Sequence, residues 1–243
     1  MSRINFQLNC PEDIHNGEVG SARDDFLGPL IPVGQLREKS RIQLGVKRCV
    51  DVLGVLLIFA IVCLPYLVVA LCILISMGRP VHYWQMRIGK SGRPFRFYKF
   101  RSMVKNSAVT LDEYLEKNEF ARQEWREFQK LKNDPRITPF GRFIRRFGID
   151  EFPQLLNVLR GDMSLVGPRP CMERQRTLYA NGWSHYCAMR PGMTGLWQVS
   201  GRNLLPYSKR VELDVNYVTN WSLWLDLKIL LRTFRVVLRG DGC

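Results

Sequence analysis

The stretch Val52–Met77 reads "VLGVLLIFAIVCLPYLVVALCILISM": 26 residues without a charge, with one proline, Pro65, near its middle. As a single helix it would be about 39 Å long, enough to cross a hydrocarbon core of roughly 30 Å. Pro65 removes one backbone hydrogen bond and predicts a kink. The halves, Val52–Leu64 and Tyr66–Met77, would each reach only about 20 Å, so neither crosses alone. Basic residues stand at both ends: Lys47 and Arg48 before the run, Arg79, Arg87, Lys90 and Arg93 after it. Such residues favour the cytoplasmic side. A helix that dips in, bends at Pro65 and returns keeps both flanks there, whereas a straight span pushes one outward. Charge symmetry and the central proline favour the re-entrant geometry, with a kinked spanning helix as the alternative. A buried core helix is disfavoured by so long an uncharged run. The run is not a signal peptide: it starts late, behind several acids, and "SMGRP" is a poor cleavage site.

Before the run, residues 1–43 mix Asn, Gly, Pro, Ser and charges without periodicity and read as a mobile polar tail. Residues 44–79 then form the membrane segment and 80–243 one membrane-associated domain. Within that domain, "VHYWQMR" (81–87) and "FRFYKFR" (95–101) flank "IGKSGRP" and predict a short β-hairpin. The "GKS" is no P-loop, because the first glycine of that pattern would fall at Trp84. Leu111–Lys132 has helical spacing. Thr138 is placed to N-cap a helix with Pro139 at its first position. In that helix Phe140, Phe143, Ile144 and Phe147 form one stripe, and Arg142, Arg145 and Arg146 take other faces. It suits a membrane interface, or else packs its phenylalanines on the core. Near the C-terminus, Trp224, Leu227, Leu231, Phe234 and Leu238 form an apolar stripe beside Lys228, Arg232, Arg235 and Arg239, with the same two readings. The fold class expected is mainly α with a short β-hairpin: a monotopic membrane protein with a proline-broken re-entrant helix and interfacial amphipathic helices.

A net charge of +14 and a pI near 9.8 point to anionic partners: nucleic acid, phosphorylated small molecules or an acidic lipid surface. No nucleic-acid module is recognisable, and basic residues interleaved with apolar stripes suit lipid better. Seven cysteines without a CxxC pair indicate a reducing compartment, and three isolated histidines argue against zinc.

Chemistry concentrates in "IDEFPQLLNVLRGDMSLVGPRP" (149–170). Asp150 is placed as the N-cap of a helix from Glu151 to about Leu159, with Gly161 just past its end. Pro153 is tolerated in the first turn. Capping alone accounts for Asp150 and Glu151. The surroundings add a second reading. Arg145 precedes the pair, and "GPRP" mounts Arg169 between two prolines, as suits bidentate phosphate binding. Adjacent carboxylates can hold Mg²⁺ together with substrate phosphates, or attack phosphorus. These parts suit phosphoryl transfer.

The ordered motifs "KRCVDVLG", "YKFRSM", "ITPFGRFIRRFGIDEFPQLLNVLRGDMSLVGPRP", "RPGMTGLWQVSGRN" and "ELDVNYV" closely resemble the bacterial sugar transferases, small monotopic polyprenyl-phosphate phosphoglycosyltransferases. The resemblance implies transfer of a sugar-1-phosphate from a UDP-sugar to undecaprenyl phosphate, with release of UMP, on the cytoplasmic face of the bacterial inner membrane. It implies a ping-pong course through a phospho-aspartate, and Mg²⁺. Carried over by motif, Asp150 is the nucleophile and Glu151 its partner, both near the metal. Lys99, Arg145, Arg169, Pro170, Arg202 and Asp214 fall in motifs of the substrate site. The sugar expected by analogy is glucose or galactose. The family's re-entrant helix breaks at a Ser-Pro pair, which here is Leu64-Pro65. The rival reading is a non-catalytic basic protein bound to membrane or nucleic acid.

Overall fold

The computed structural model describes residues 41–128, 131–201 and 207–238. Most of the expected tail (1–43), Arg202 and Arg239 therefore lie outside the described residues, as does the side chain of Leu238. The chain begins with one helix, α1, Arg41–Met77. It starts eleven residues before the uncharged run and continues through Pro65 without an interruption. Leu53, Leu56, Leu57, Ile61, Leu64, Leu67, Leu71 and Ile75 are exposed. A helix of a soluble core would cover these side chains, so α1 presents its leucines to something other than this chain.

After α1, β1 (His82–Ile88) and β2 (Pro94–Phe100) form the expected antiparallel hairpin, with His82 opposite Phe100 and Arg87 opposite Phe95. The predicted long helix is two, α2 (Ser107–Lys117) and α3 (Glu119–Phe128), which meet at Asn118. α4 (Pro139–Arg146) starts as the sequence predicts, with the Thr138 side chain accepting from the Gly141 N–H and Pro139 at the first position. Its stripe divides: Ile144 is buried, while Phe143 and Phe147 remain exposed beside Arg142 and Arg146.

α5 (Gln154–Arg160) leads to a strand pair that the sequence did not announce: β3 (Ser164–Val166), parallel to β4 (Gly192–Thr194). Three-residue strands are too short to show alternation. Between them lie α6 (Arg176–Tyr179) and α7 (Trp183–Ala188), and after them α8 (Leu196–Val199), α9 (Tyr207–Thr219) and α10 (Leu223–Leu238). The main core joins Val55 of α1, Phe95 and Phe97 of β2, and Leu155 and Val158 of α5 to Leu213, Tyr217 and Ile229 of the C-terminal helices. On α10, Ile229 is buried, but Trp224, Leu227, Leu231 and Phe234 are exposed. The apolar stripe of α10 is thus not core.

The charges at the start of α1 are not free flanks. Lys47 is buried and donates to Asp226 Oδ2 (2.6 Å) and to the Val166 carbonyl (2.9 Å). Arg48 donates to the Val158 and Leu159 carbonyls (2.6 and 2.8 Å), closing the C-terminal end of α5. Asp51 accepts from Ser164 Oγ and the Leu165 N–H, both at 2.9 Å. At the other end of α1, Arg101 donates to the carbonyls of Met77 and Gly78 (2.5 and 2.6 Å).

Candidate active site

Two elements bring the acids together with a lysine. The turn after α4 closes as a 3-10 turn, Ile149–Glu151, with Ile149 and Phe152 packed beside Phe100 and Ile144. This overturns the capping assignment for Asp150: the turn accounts for residues 149–151, α5 begins only at Gln154, and no side chain caps it. The C-terminal signal is borne out, since Gly161 is left-handed (φ 89°) and its N–H returns to the Asn157 and Val158 carbonyls. Freed from capping, Asp150 meets β2. Lys99 Nζ donates to Asp150 Oδ2 (3.2 Å) and Glu151 Oε1 (2.8 Å). The Asp150 side chain is only 7% exposed, against 30% for Glu151, so the first is enclosed and the second faces the opening. Burial lowers the Lys99 ammonium's affinity for its proton, but Glu151 and Asp150 outweigh this and the net shift is upward.

The opening is a small cleft lined by Arg87, Phe97, Lys99, Glu151, Gln154, Arg169, Pro170, Gly192 and Met193. Glu151 rather than Asp150 forms its wall. The far side is the "GPRP" turn. Gly167 lies so near β4 that a methyl group there would sit 2.4 Å from the Arg190 carbonyl oxygen, a contact that no side chain survives. The turn is fixed from behind by Asp214, which is buried and accepts from the Arg169 N–H (3.4 Å) and the Tyr179 hydroxyl (2.7 Å). Arg210 donates to the Arg169 carbonyl (3.2 Å). The Arg169 and Arg210 guanidiniums stand 5.1 and 5.3 Å from the Trp197 ring centre.

Of the residues singled out in the sequence, Lys99, Asp150, Glu151, Arg169 and Pro170 gather here. Asp214 lies behind the turn as a support. Arg145 donates instead to Ser102 Oγ (2.8 Å). Arg202 is outside the described residues. Sequence reasoning missed Arg87 and Gln154 on the cleft wall and Arg210 behind it. Once the register is known Arg87 can be placed: it lies opposite Phe95, and residues two apart on a strand share a face, so it falls on the side of Phe97 and Lys99. No group of three His, Cys, Asp or Glu side chains gathers among the described residues. Two carboxylates sharing one ammonium fit an ion that takes its remaining ligands from substrate phosphates and water, as Mg²⁺ does, and not a protein cage for zinc.

Burial raises the Asp214 carboxyl to about 6, against the opposing pull of Arg210, the Tyr179 hydrogen bond and the Arg169 amide. The folded state therefore holds this proton more tightly than the unfolded chain. Its contribution to stability grows as pH falls through about 6, and is complete below the ordinary carboxylate value of 3.8. The gain is on the order of 2–3 kcal/mol. Unfolding transitions measured from pH 7 to pH 5 should show this component in the wild type and lose it in Asp214→Asn. An identical pH slope in the two proteins would refute the assignment.

The sequence pattern described as "Bacterial sugar transferase" matches residues 42–240. The chain is 51% identical over 196 residues to a UDP-galactose-lipid carrier transferase of Erwinia amylovora, a match covering 81% of this chain and 41% of that protein. It is 54% identical over 165 residues to an undecaprenyl-phosphate galactose phosphotransferase of Salmonella typhimurium, covering 68% and 35%. The chain thus spans less than half the length of either. It is 43% identical over 196 residues to the exopolysaccharide production protein ExoY of Sinorhizobium fredii, covering 81% and 87%.

Proposed function

The chain belongs to the bacterial sugar transferase family, and from that premise we propose that it moves a hexose-1-phosphate from a UDP-sugar to undecaprenyl phosphate, releasing UMP, at the cytoplasmic face of the inner membrane. The observation that carries the reading is the pair of adjacent carboxylates clamped by one lysine, opposite an arginine mounted between prolines. An oxygen of Asp150 attacks the phosphorus that bears the sugar. The Asp150–phosphorus bond forms as the bond to the bridging oxygen breaks, and the electron pair leaves on the phosphate of UMP. The lipid phosphate then attacks the same phosphorus and frees Asp150. Lys99 orients the carboxylate, Glu151 faces the donor, and Arg169 meets phosphate charge. Mg²⁺ held by Asp150, Glu151 and the donor's phosphates would supply further charge neutralisation. The names of the relatives favour galactose or glucose and a place in exopolysaccharide assembly. Protein incubated with UDP-galactose or UDP-glucose and Mg²⁺, without lipid, is expected to release UMP up to one equivalent and stop. Chelation should abolish the release. Absence of this burst, with full transfer once lipid is added, would establish direct transfer instead.

For the membrane segment we propose the re-entrant geometry. Lys47 and Met77 would be about 45 Å apart on a straight helix. Yet both ends of α1 are pinned to one packed body, through Asp226 and α5 at one end and through Arg101 at the other. The exposed leucines between them, with Phe143 and Phe147 of α4 and the stripe of α10, form the surface offered to lipid. Single-cysteine proteins retaining exposed Cys49, or carrying Lys90→Cys, should both resist an impermeant maleimide applied outside intact cells. Labelling of one but not the other would establish a spanning helix.

A further inference from the structure

The cleft is electrically lopsided. At its acid end two carboxylates share one ammonium. At the other end the guanidiniums of Arg87, Arg169 and Arg210 lie near enough to repel one another, and of these Arg210 alone pairs with a carboxylate among the described residues, Asp214 behind the turn, at 3.8 Å. Arg87 pairs with no carboxylate among the described residues. Its Nη2 donates to the neutral Gln85 Oε1 (2.9 Å) and its Nη1 to the Pro170 carbonyl (3.4 Å). Its Nε is buried and has no partner among the described residues. Burial, then the charges of Arg169 and Arg210, lower its pKa to about 10. Nearby, Gln154 is buried on the same wall with its amide nitrogen equally unpartnered. Buried donors without acceptors and like charges without a counter-ion are each costly. An anion rich in oxygen acceptors would satisfy both.

We propose that Arg87, with Arg169 beside it and the buried Gln154 on the same wall, forms the subsite for the phosphate of the departing nucleotide. Arg210 is a positioning residue: held near Asp214 (3.8 Å) and bonded to the Arg169 carbonyl, it stands behind the turn. The inference rests on the phosphoryl-transfer reading above. Attack and departure on phosphorus lie roughly in line, with Asp150 on one side. The leaving oxygen therefore develops its charge on the side away from the acids, where the guanidiniums stand. As the bridging bond breaks, the electron pair settles on a phosphate that already carries charge, and Arg87 neutralises it. The incoming lipid phosphate attacks along the same line, so it occupies this subsite once UMP has gone. One anion site thus serves both halves of the reaction.

The test is binding of UMP and of uridine to the full-length protein in detergent, measured calorimetrically without lipid or sugar donor. UMP is expected to bind the wild type, and more tightly than uridine. Arg87→Met should weaken UMP at least tenfold, Arg87→Lys less, and neither should change the affinity for uridine. Melting curves of each variant show that it is folded. Equal UMP affinity in the wild type and both Arg87 variants would overturn the subsite, as would UMP binding no tighter than uridine. Because no sugar transfer enters the measurement, failure here is distinct from failure of the transferase reading, which the stoichiometric UMP release tests separately.

Discussion

Asp150→Asn is expected to lower sugar-phosphate transfer by about ten-thousand-fold or more, since loss of a covalent nucleophile leaves only the binding and charge-stabilising parts of the site. The protein should nevertheless fold. Lys99 keeps its 2.8 Å partner Glu151, and an asparagine oxygen can still accept from the ammonium. Melting temperature and sedimentation with lipid vesicles should therefore stay close to wild type, and the UMP burst from donor alone should disappear. The geometry supplies a rival, because Glu151 and not Asp150 forms the cleft wall. Glu151→Gln tests that rival directly. If Asp150 is the nucleophile, Glu151→Gln slows the burst but still yields a phosphorylated protein, with the phosphorus on Asp150. A phosphorylated residue mapped to Glu151, or a burst surviving in Asp150→Asn, would reverse the roles.

What could be read in the sequence depended on the distance over which each signal acts. Thr138 with Pro139, Gly161 and the aromatic hairpin were legible because a cap, a left-handed glycine or an alternating strand is fixed by its near neighbours. The N-cap placement of Asp150 failed for the same reason. Its local surroundings offered a helix to cap, whereas its actual partner, Lys99, arrives from β2 fifty-one residues earlier. The pair β3 and β4 escaped notice because each strand is three residues long and their pairing crosses two helices. Arg87 was read as a membrane flank because its side of the strand matters only once the register of β1 against β2 is known. The motif "KRCVDVLG" was recognised as a motif, but its two basic residues, Lys47 and Arg48, were given to the membrane. Lys47, Arg48 and Asp51 each find their partners more than a hundred residues away. The basic flank that suggested a topology is, at that end, part of the fold.

Those anchors carry the second large effect. Lys47→Met is expected to destabilise the protein by about 3–5 kcal/mol, because it strands a buried carboxylate that had a buried ammonium. Asp226 would keep the Tyr217 hydroxyl (2.7 Å) and the Trp221 indole N–H (3.0 Å), but these neutral donors do not cancel its charge. The Val166 carbonyl would lose a donor as well. For a chain of this size the loss corresponds to a fall in melting temperature of roughly 10 °C. Asp226→Asn alone leaves Lys47 with the Val166 carbonyl and is expected to cost less. The double variant Lys47→Met, Asp226→Asn should recover much of the loss, because the stranded charge is gone. The consequence reaches beyond stability. Lys47 joins α1 to α10 and to β3, and the chain after β3 runs directly into the "GPRP" turn that mounts Arg169. If α1 sets the height of the cleft above the lipid, Lys47→Met should raise the Michaelis constant for undecaprenyl phosphate more than that for the UDP-sugar, below the temperature at which the variant melts. A variant that melts like the wild type would mean that the apolar contacts of Val55, Ile58 and Val62 hold α1 in place, and that the ion pair contributes little.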